Sequence, residues 1–104
     1  MEGYHINDVW KAVCNCWNVP PVNPVTKQRF YSLKPVLIGD CEMDPGCRPL
    51  YMRLIKHYMP NGQCFLFINR SHGVSGKDWW SMTQQFIDNP YQKVESNNAT
   101  IIPY

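Results

Sequence analysis

Five cysteines offer the most chemistry in this chain: Cys14, Cys16, Cys41, Cys47 and Cys64. Thiolates bind zinc, and structural zinc sites usually receive them as closely spaced pairs on tight turns. Cys14 and Cys16 would point about 200° apart on a helix, so they do not form such a pair. Cys41 and Cys47 lie further apart in sequence than zinc-binding pairs usually do. We therefore expect no cofactor, with a zinc ion held by some of these cysteines as the alternative.

A disulfide is a second use for the same residues. A bond between Cys16 and Cys41 would close a long loop and stabilise the fold by roughly 3 kcal/mol. A reducing cytosol opposes such a bond, so the disulfide would require that the protein reside in an oxidising environment. The odd number of cysteines also means that they cannot all pair within one chain.

A cysteine nucleophile activated by histidine is a third use. The histidines are His5, His57 and His72, and no sequence pattern places one of them beside a cysteine or supplies an oxyanion hole. We therefore predict no catalytic residues and no enzyme. A cysteine hydrolase is the least favoured of our functional hypotheses.

Charge and hydropathy argue against two kinds of partner. The formal net charge is +2, and the lysines and arginines are scattered singly. Nucleic-acid-binding domains usually carry a clustered basic surface, so we do not expect nucleic acid as a direct ligand. The apolar stretches are too short to span a bilayer and the N-terminus does not resemble a signal peptide, so we expect a soluble protein made in the cytosol.

The first predicted element is a helix near the N-terminus. Trp10, Val13 and Trp17 recur at helical spacing, which predicts an amphipathic helix over residues 8–17 with Asn7 as its N-cap.

Two further helices follow in the second half of the chain. Pro49 suits the first position of a helix over residues 49–59. The spacing of Ser75 and Asp78 resembles a capping box, which predicts a third helix ending near Asp88.

The apolar composition of residues 36–38 and 64–68 predicts two short strands that pair with each other. Residues 91–104 lack periodicity, and we interpret them as an extended C-terminal arm that docks on a neighbour or on its own body. The predicted fold is a small α+β domain of about three helices and a two-stranded β element. Its compact part is predicted over residues 1–90, and its central motif over 14–41.

Aromatic residues make up 13% of the chain, which is more area than a small core hides easily. Tryptophan and tyrosine anchor many protein interfaces. In the Trp79–Trp80 pair, one indole should face the core and the other solvent or a partner. The candidate partner-binding residues are Trp79, Trp80, Ile101, Ile102 and Tyr104.

The stretch between the second and third cysteines also carries a motif. It consists of Cys16, Trp17, Asn23, Pro24, Thr26, Arg29 and Cys41. These residues resemble the viral two-cysteine adaptor domain, a short module in proteins of large double-stranded DNA viruses. Cys16 would be the first cysteine, with Cys14 as the competing choice, and Cys41 would be the second.

The resemblance implies an interaction module without catalysis of its own. We therefore expect a viral structural or adaptor protein, a minor capsid or nucleocapsid component, located in the virion and in the host cytoplasm or nucleus during assembly. Its expected partners are other viral structural proteins, with oligomeric assembly. The alternative is a zinc-stabilised regulatory protein of the ubiquitin or transcription type.

Overall fold

The computed structural model describes residues 6–104. Three helices and three strands follow one another: α1 (Ile6–Trp17), β1 (Val36–Cys41), α2 (Leu50–Tyr58), β2 (Gly62–Phe67), α3 (Lys77–Asp88) and β3 (Ile101–Pro103). A short 3₁₀ turn covers Pro24–Lys27. The predicted α+β class is confirmed, and the sheet has one strand more than the sequence predicted.

The sheet is built around β2. β1 pairs with it in parallel and β3 pairs with its other edge antiparallel, giving the order β1-β2-β3. The parallel pair needs a crossover connection, and α2 provides it. The predicted pairing of the two apolar segments is therefore confirmed.

The two faces of β2 enter two different cores. Phe65 and Phe67 point to one face and pack in a cluster with Met82 of α3. Cys64 and Leu66 point to the other face and pack with Met52 of α2. A strand covered on both faces is apolar at successive positions, which explains the unbroken apolar run in the sequence.

A close approach in β1 explains its glycine. A Cβ atom added to Gly39 would lie 2.9 Å from Cζ3 of Trp79 and 3.1 Å from Cγ1 of Val74. Trp79 packs edge-on against Phe67, with ring centroids 5.8 Å apart. The glycine therefore leaves room for α3 and its preceding loop to cover the sheet.

The C-terminal arm docks on the chain's own body. Its last residues form β3, and the Tyr104 N–H donates to the Cys64 carbonyl over 2.9 Å. Ile101 is buried, while Ile102 is 40% exposed. The arm therefore ends as an edge strand, because β2 offers it unpaired backbone groups on that side.

Two predicted helix starts differ from the structure. α1 begins at Ile6, so Asn7 lies inside the helix and not before it. The N-cap of α3 is Gly76, and no side chain caps that helix. Asp78 instead accepts a hydrogen bond from the Asn98 amide over 2.8 Å. The capping-box prediction is therefore wrong, because a tertiary contact takes the carboxylate.

The chain before the sheet packs very differently. We call residues 6–31 the N-terminal segment and residues 36–104 the sheet body. Every described side chain from Asp8 to Tyr31 is exposed. The radius of gyration is 17.7 Å, whereas a compact domain of this length has about 13 Å. The buried core thus belongs to the sheet body, and the motif over residues 14–41 is not its centre.

Candidate functional site

Two loops meet at the carboxyl ends of the parallel strands. Residues 42–49 follow β1 and residues 68–76 follow β2. The Glu42 N–H donates to the Phe67 carbonyl and the Met43 N–H donates to the Arg70 carbonyl, each over 3.0 Å. In sheets with parallel strands, ligands bind outside this edge, so its side chains are the first place to look for a site.

Asp44 organises the first of these loops. Its Oδ1 atom accepts hydrogen bonds from the N–H groups of Gly46 and Cys47, over 2.8 and 2.9 Å. Pro45 and Gly46 suit such a turn, because proline fixes one φ angle and glycine adapts to the rest. The carboxylate is buried and the turn holds it in a fixed position.

His72 comes from the second loop and meets the same carboxylate. Its Nδ1 atom lies 2.6 Å from Asp44 Oδ2, and its side chain is 75% exposed whereas that of Asp44 is only 4% exposed. The pair therefore joins residues far apart in sequence, with the imidazole open to solvent and the carboxylate held beneath it.

The environment of Asp44 favours its charged form. The Cys47 N–H lowers the pKa of this carboxyl most, and the Gly46 N–H and His72 lower it further, while burial opposes them. Hydrogen bonds donated to a carboxylate stabilise its negative charge. Asp44 is thus an anionic group ready to face a cation.

Cys47 completes what we call the edge cluster: Asp44, Cys47 and His72. One ligand atom from each of the three lies within 4.8 Å of the others. No sequence pattern placed a cysteine beside a histidine, and the fold brings Cys47 close to His72. The Asp44-x₂-Cys47 spacing is the local signal that could have suggested part of this cluster.

Among residues 6–104, the other cysteines do not join a cluster of possible metal ligands. Cys14 and Cys16 are exposed on α1, Cys41 and Cys64 are buried in the two cores, and all five thiols are free. Burial raises the pKa of the Cys41 and Cys64 thiols above its ordinary value. These two cysteines behave as small apolar core residues with their protons retained.

Asn23, Pro24 and Thr26 of the motif form a tight turn. Asn23 Oδ1 accepts from the Val25 N–H over 3.0 Å, and the Thr26 hydroxyl donates to the Asn23 carbonyl over 2.7 Å. Pro24 opens the 3₁₀ turn. The whole turn is exposed, so it shapes a surface loop.

Arg29 has a clear structural contact. Its guanidinium donates to the Tyr58 hydroxyl over 2.9 Å and lies 5.7 Å from the centre of that ring. Together with Phe30, Leu54 and Ile55, these residues line an open groove of about 300 Å³. Arg29 therefore holds the end of the N-terminal segment against α2.

The predicted partner-binding residues divide between core and surface. Trp79 packs against the core whereas Trp80 is 69% exposed, as the sequence predicted for this pair. Tyr104 is half-buried and packs against the Met52 cluster. Among these residues, Trp80 presents the largest free aromatic surface.

A further uncovered apolar surface lies on α1. Its apolar face consists of Val9, Trp10, Val13 and Trp17, all exposed. Asp8, Lys11 and Asn15 lie on the opposite side of the helix by its 3.6-residue period. The helix is thus amphipathic, and no element of the sheet body covers its apolar face.

Within residues 6–104, no helix combines the length and hydropathy that crossing a bilayer requires. Comparison with known proteins adds no relative: no protein-family model, curated protein or solved structure matches this chain. The edge cluster and the apolar face of α1 are therefore the features from which a function must be argued.

Proposed function

We propose that this chain is a non-enzymatic interaction module that assembles with other proteins through the apolar face of α1. The observation that carries the proposal is the exposure of this face. Trp10 is 60% exposed and Trp17 is 73% exposed on a helix outside the sheet body. Exposed apolar patches of this kind mark protein interaction sites.

The length of α1 supports the proposal. α1 has 12 residues, and isolated helices of this length are marginal in water, since most helical stability in proteins comes from packing of the apolar face. A partner that covers the face therefore stabilises the helix as well as the complex.

The residue types on the face favour a protein partner. Tryptophans are enriched among the residues that dominate binding energy at interfaces. The low net charge of +2 gives no strong field to attract a polyanion. A partner surface that is itself apolar fits best, and a second copy of the chain offers one.

The viral setting of this function comes from the resemblance of the 16–41 motif to the two-cysteine adaptor domain. In that setting the chain is a minor capsid or nucleocapsid component, its partners are other structural proteins of the particle, and it resides in the virion.

The test compares three full-length proteins. One carries Trp10→Gln, Val13→Gln and Trp17→Gln on the apolar face. Its matched control carries Asp8→Gln, Lys11→Gln and Asn15→Gln on the polar face, which leaves the net charge unchanged. Light scattering over a range of concentrations measures self-association, and a pull-down from purified virions measures binding to structural proteins.

We expect the wild-type and control proteins to assemble or to bind virion proteins, and the apolar-face variant to do neither. The thermal unfolding midpoint of the sheet body should be the same in all three. A wild-type chain that stays monomeric and binds no virion protein contradicts the proposal, as does assembly that the apolar-face variant retains.

The alternative, a zinc-stabilised regulatory protein of the ubiquitin or transcription type, has one supporting observation, the edge cluster. Elemental analysis of the purified protein decides it, because a protein without stoichiometric zinc does not depend on zinc for its fold.

A further inference from the structure

The edge cluster has the chemistry of a metal site. It combines a thiol, an imidazole and a carboxylate, and zinc binds all three kinds of ligand. Softer sulfur and nitrogen ligands select transition metals over magnesium and calcium, which prefer oxygen alone. The mixture in Asp44, Cys47 and His72 therefore suits zinc or a similar divalent ion.

The spacing of the first two residues supports this assignment. Asp44 and Cys47 are separated by two residues, which lies within the two-to-four-residue interval usual for ligand pairs on zinc-binding turns. The two backbone N–H groups that bind Asp44 Oδ1 leave Oδ2 to face the cluster. The turn thus delivers one carboxylate oxygen and one thiol from a single rigid loop.

The distances allow the ion to enter with a small adjustment. Ligand atoms around a tetrahedral zinc ion are about 3.3 to 3.8 Å apart, given metal–ligand bonds of about 2.0 to 2.3 Å. The ligand atoms of the three residues already lie within 4.8 Å of one another. Asp44 Oδ2 and His72 Nδ1 are closer than zinc requires, at 2.6 Å, and the exposed imidazole can turn away.

The scaffold holds the two loops together without the ion. Glu42 Oε2 accepts from the Asn69 N–H over 3.0 Å, and the Met43 N–H donates to the Arg70 carbonyl across the same two loops. A site whose ligand-bearing loops are held in place loses little conformational entropy when it binds.

We propose that Asp44 Oδ2, Cys47 Sγ and an imidazole nitrogen of His72 bind one divalent transition-metal ion, zinc foremost, with solvent in the fourth position. Binding releases the thiol proton of Cys47, because thiolate is the form that binds. The ion links the loops that follow β1 and β2. This site does not depend on the interaction through α1, which lies outside the cluster.

The experiment titrates the reduced, metal-free full-length protein with zinc against a chromophoric chelator. Cobalt is then substituted for zinc, because its absorption spectrum reports a bound thiolate and a tetrahedral geometry. We expect one ion per chain, a thiolate-to-cobalt charge-transfer band and a higher thermal unfolding midpoint with metal than without it.

Three conservative variants test the ligands: Asp44→Asn, Cys47→Ser and His72→Gln. Asparagine keeps the oxygen that accepts from the turn, so the loop should still fold, and far-UV circular dichroism checks that it does. Each variant should bind zinc at least about tenfold more weakly, as loss of even an outer-shell partner commonly costs that much. The cobalt charge-transfer band should disappear in Cys47→Ser.

The matched controls are Cys14→Ser and His57→Gln, which alter an exposed thiol and an exposed imidazole outside the cluster. They should bind as the wild type does. The absence of one-to-one binding overturns the proposal, and so does binding that survives Cys47→Ser and His72→Gln. Loss of binding in Cys14→Ser would assign the ion to the helix thiols instead.

Discussion

The sheet body and the N-terminal segment both carry large aromatic residues, some of which are buried in the first region whereas all are exposed in the second. In the sheet body, Phe67 is fully buried between the sheet and α3. In the N-terminal segment, Phe30 and Trp17 are both more than 60% exposed. The difference arises because β2 gathers apolar groups from both neighbouring helices, whereas α1 has no layer against it. An apolar sequence pattern therefore predicts which face of an element favours burial. Whether another part of the same chain packs against that face depends on the tertiary fold.

The two regions also differ in how their turns are anchored. Asn98 binds both Asp78 of α3 and the Thr100 backbone, so its turn is tied to the core. Asn23 makes its bonds only to residues nearby in sequence. The turn at Asn98 should therefore unfold together with the sheet body, whereas the turn at Asn23 should unfold on its own.

The largest expected effect comes from removing the central aromatic ring. Phe67→Ala should lower the free energy of unfolding by about 3 to 5 kcal/mol, because it leaves a cavity between β2 and Trp79. Urea denaturation followed by circular dichroism measures the change. Phe30→Ala is the matched control, and it should change stability by less than about 0.5 kcal/mol. An equal loss of unfolding free energy in the two variants would show that the N-terminal segment unfolds in the same cooperative unit as the sheet body.

A smaller effect concerns pH. Burial raises the pKa of the Cys64 thiol, so the unfolded chain releases this proton at a lower pH than the native protein does. The native state then binds more protons than the unfolded state, and stability falls as the pH rises above about 8.5. For one proton the slope cannot exceed about 1.4 kcal/mol per pH unit.

Unfolding free energies measured between about pH 7 and pH 10 test this. Cys64→Ala should flatten the alkaline decline, whereas Cys16→Ala, which removes an exposed thiol, should leave the slope unchanged. The slopes and not the absolute stabilities are compared, since Cys64→Ala also removes buried volume. An identical slope in Cys64→Ala and wild type would contradict the prediction.

The smallest effect on global stability is expected at the exposed turn. Asn23→Ala removes the side-chain bond to the Val25 N–H, a type of cap usually worth about 1 kcal/mol locally. Global unfolding should be unchanged, while the Val25 amide should exchange faster with solvent by NMR. Asn98→Ala is the matched control in the sheet body and should lower global stability. A global loss from Asn23→Ala would mean that the turn folds with the core.

Much of the architecture could be predicted from local signals. The helical spacing of Trp10, Val13 and Trp17 predicts α1, and the apolar composition of residues 64–68 predicts β2. The pairing of β1 with β2 was also predictable, because a buried strand needs a partner. The start of α3 was not, since Gly76 caps the helix and a contact with Asn98 occupies Asp78.

The candidate site was harder to predict. Spacing within one loop could have suggested Asp44 and Cys47, but nothing local connects them to His72, which follows another strand. Only the parallel pairing of β1 with β2 brings the two loops to the same edge of the sheet.

The helical spacing of Trp10, Val13 and Trp17 predicts the amphipathic first helix, and the apolar composition of residues 64–68 predicts a strand, because each signal lies among near neighbours along the chain. Tertiary packing leaves the apolar face of α1 uncovered and brings His72 to Asp44. Both depend on which surfaces the sheet brings together, and distances between residues remote in sequence are set by packing, not by periodicity.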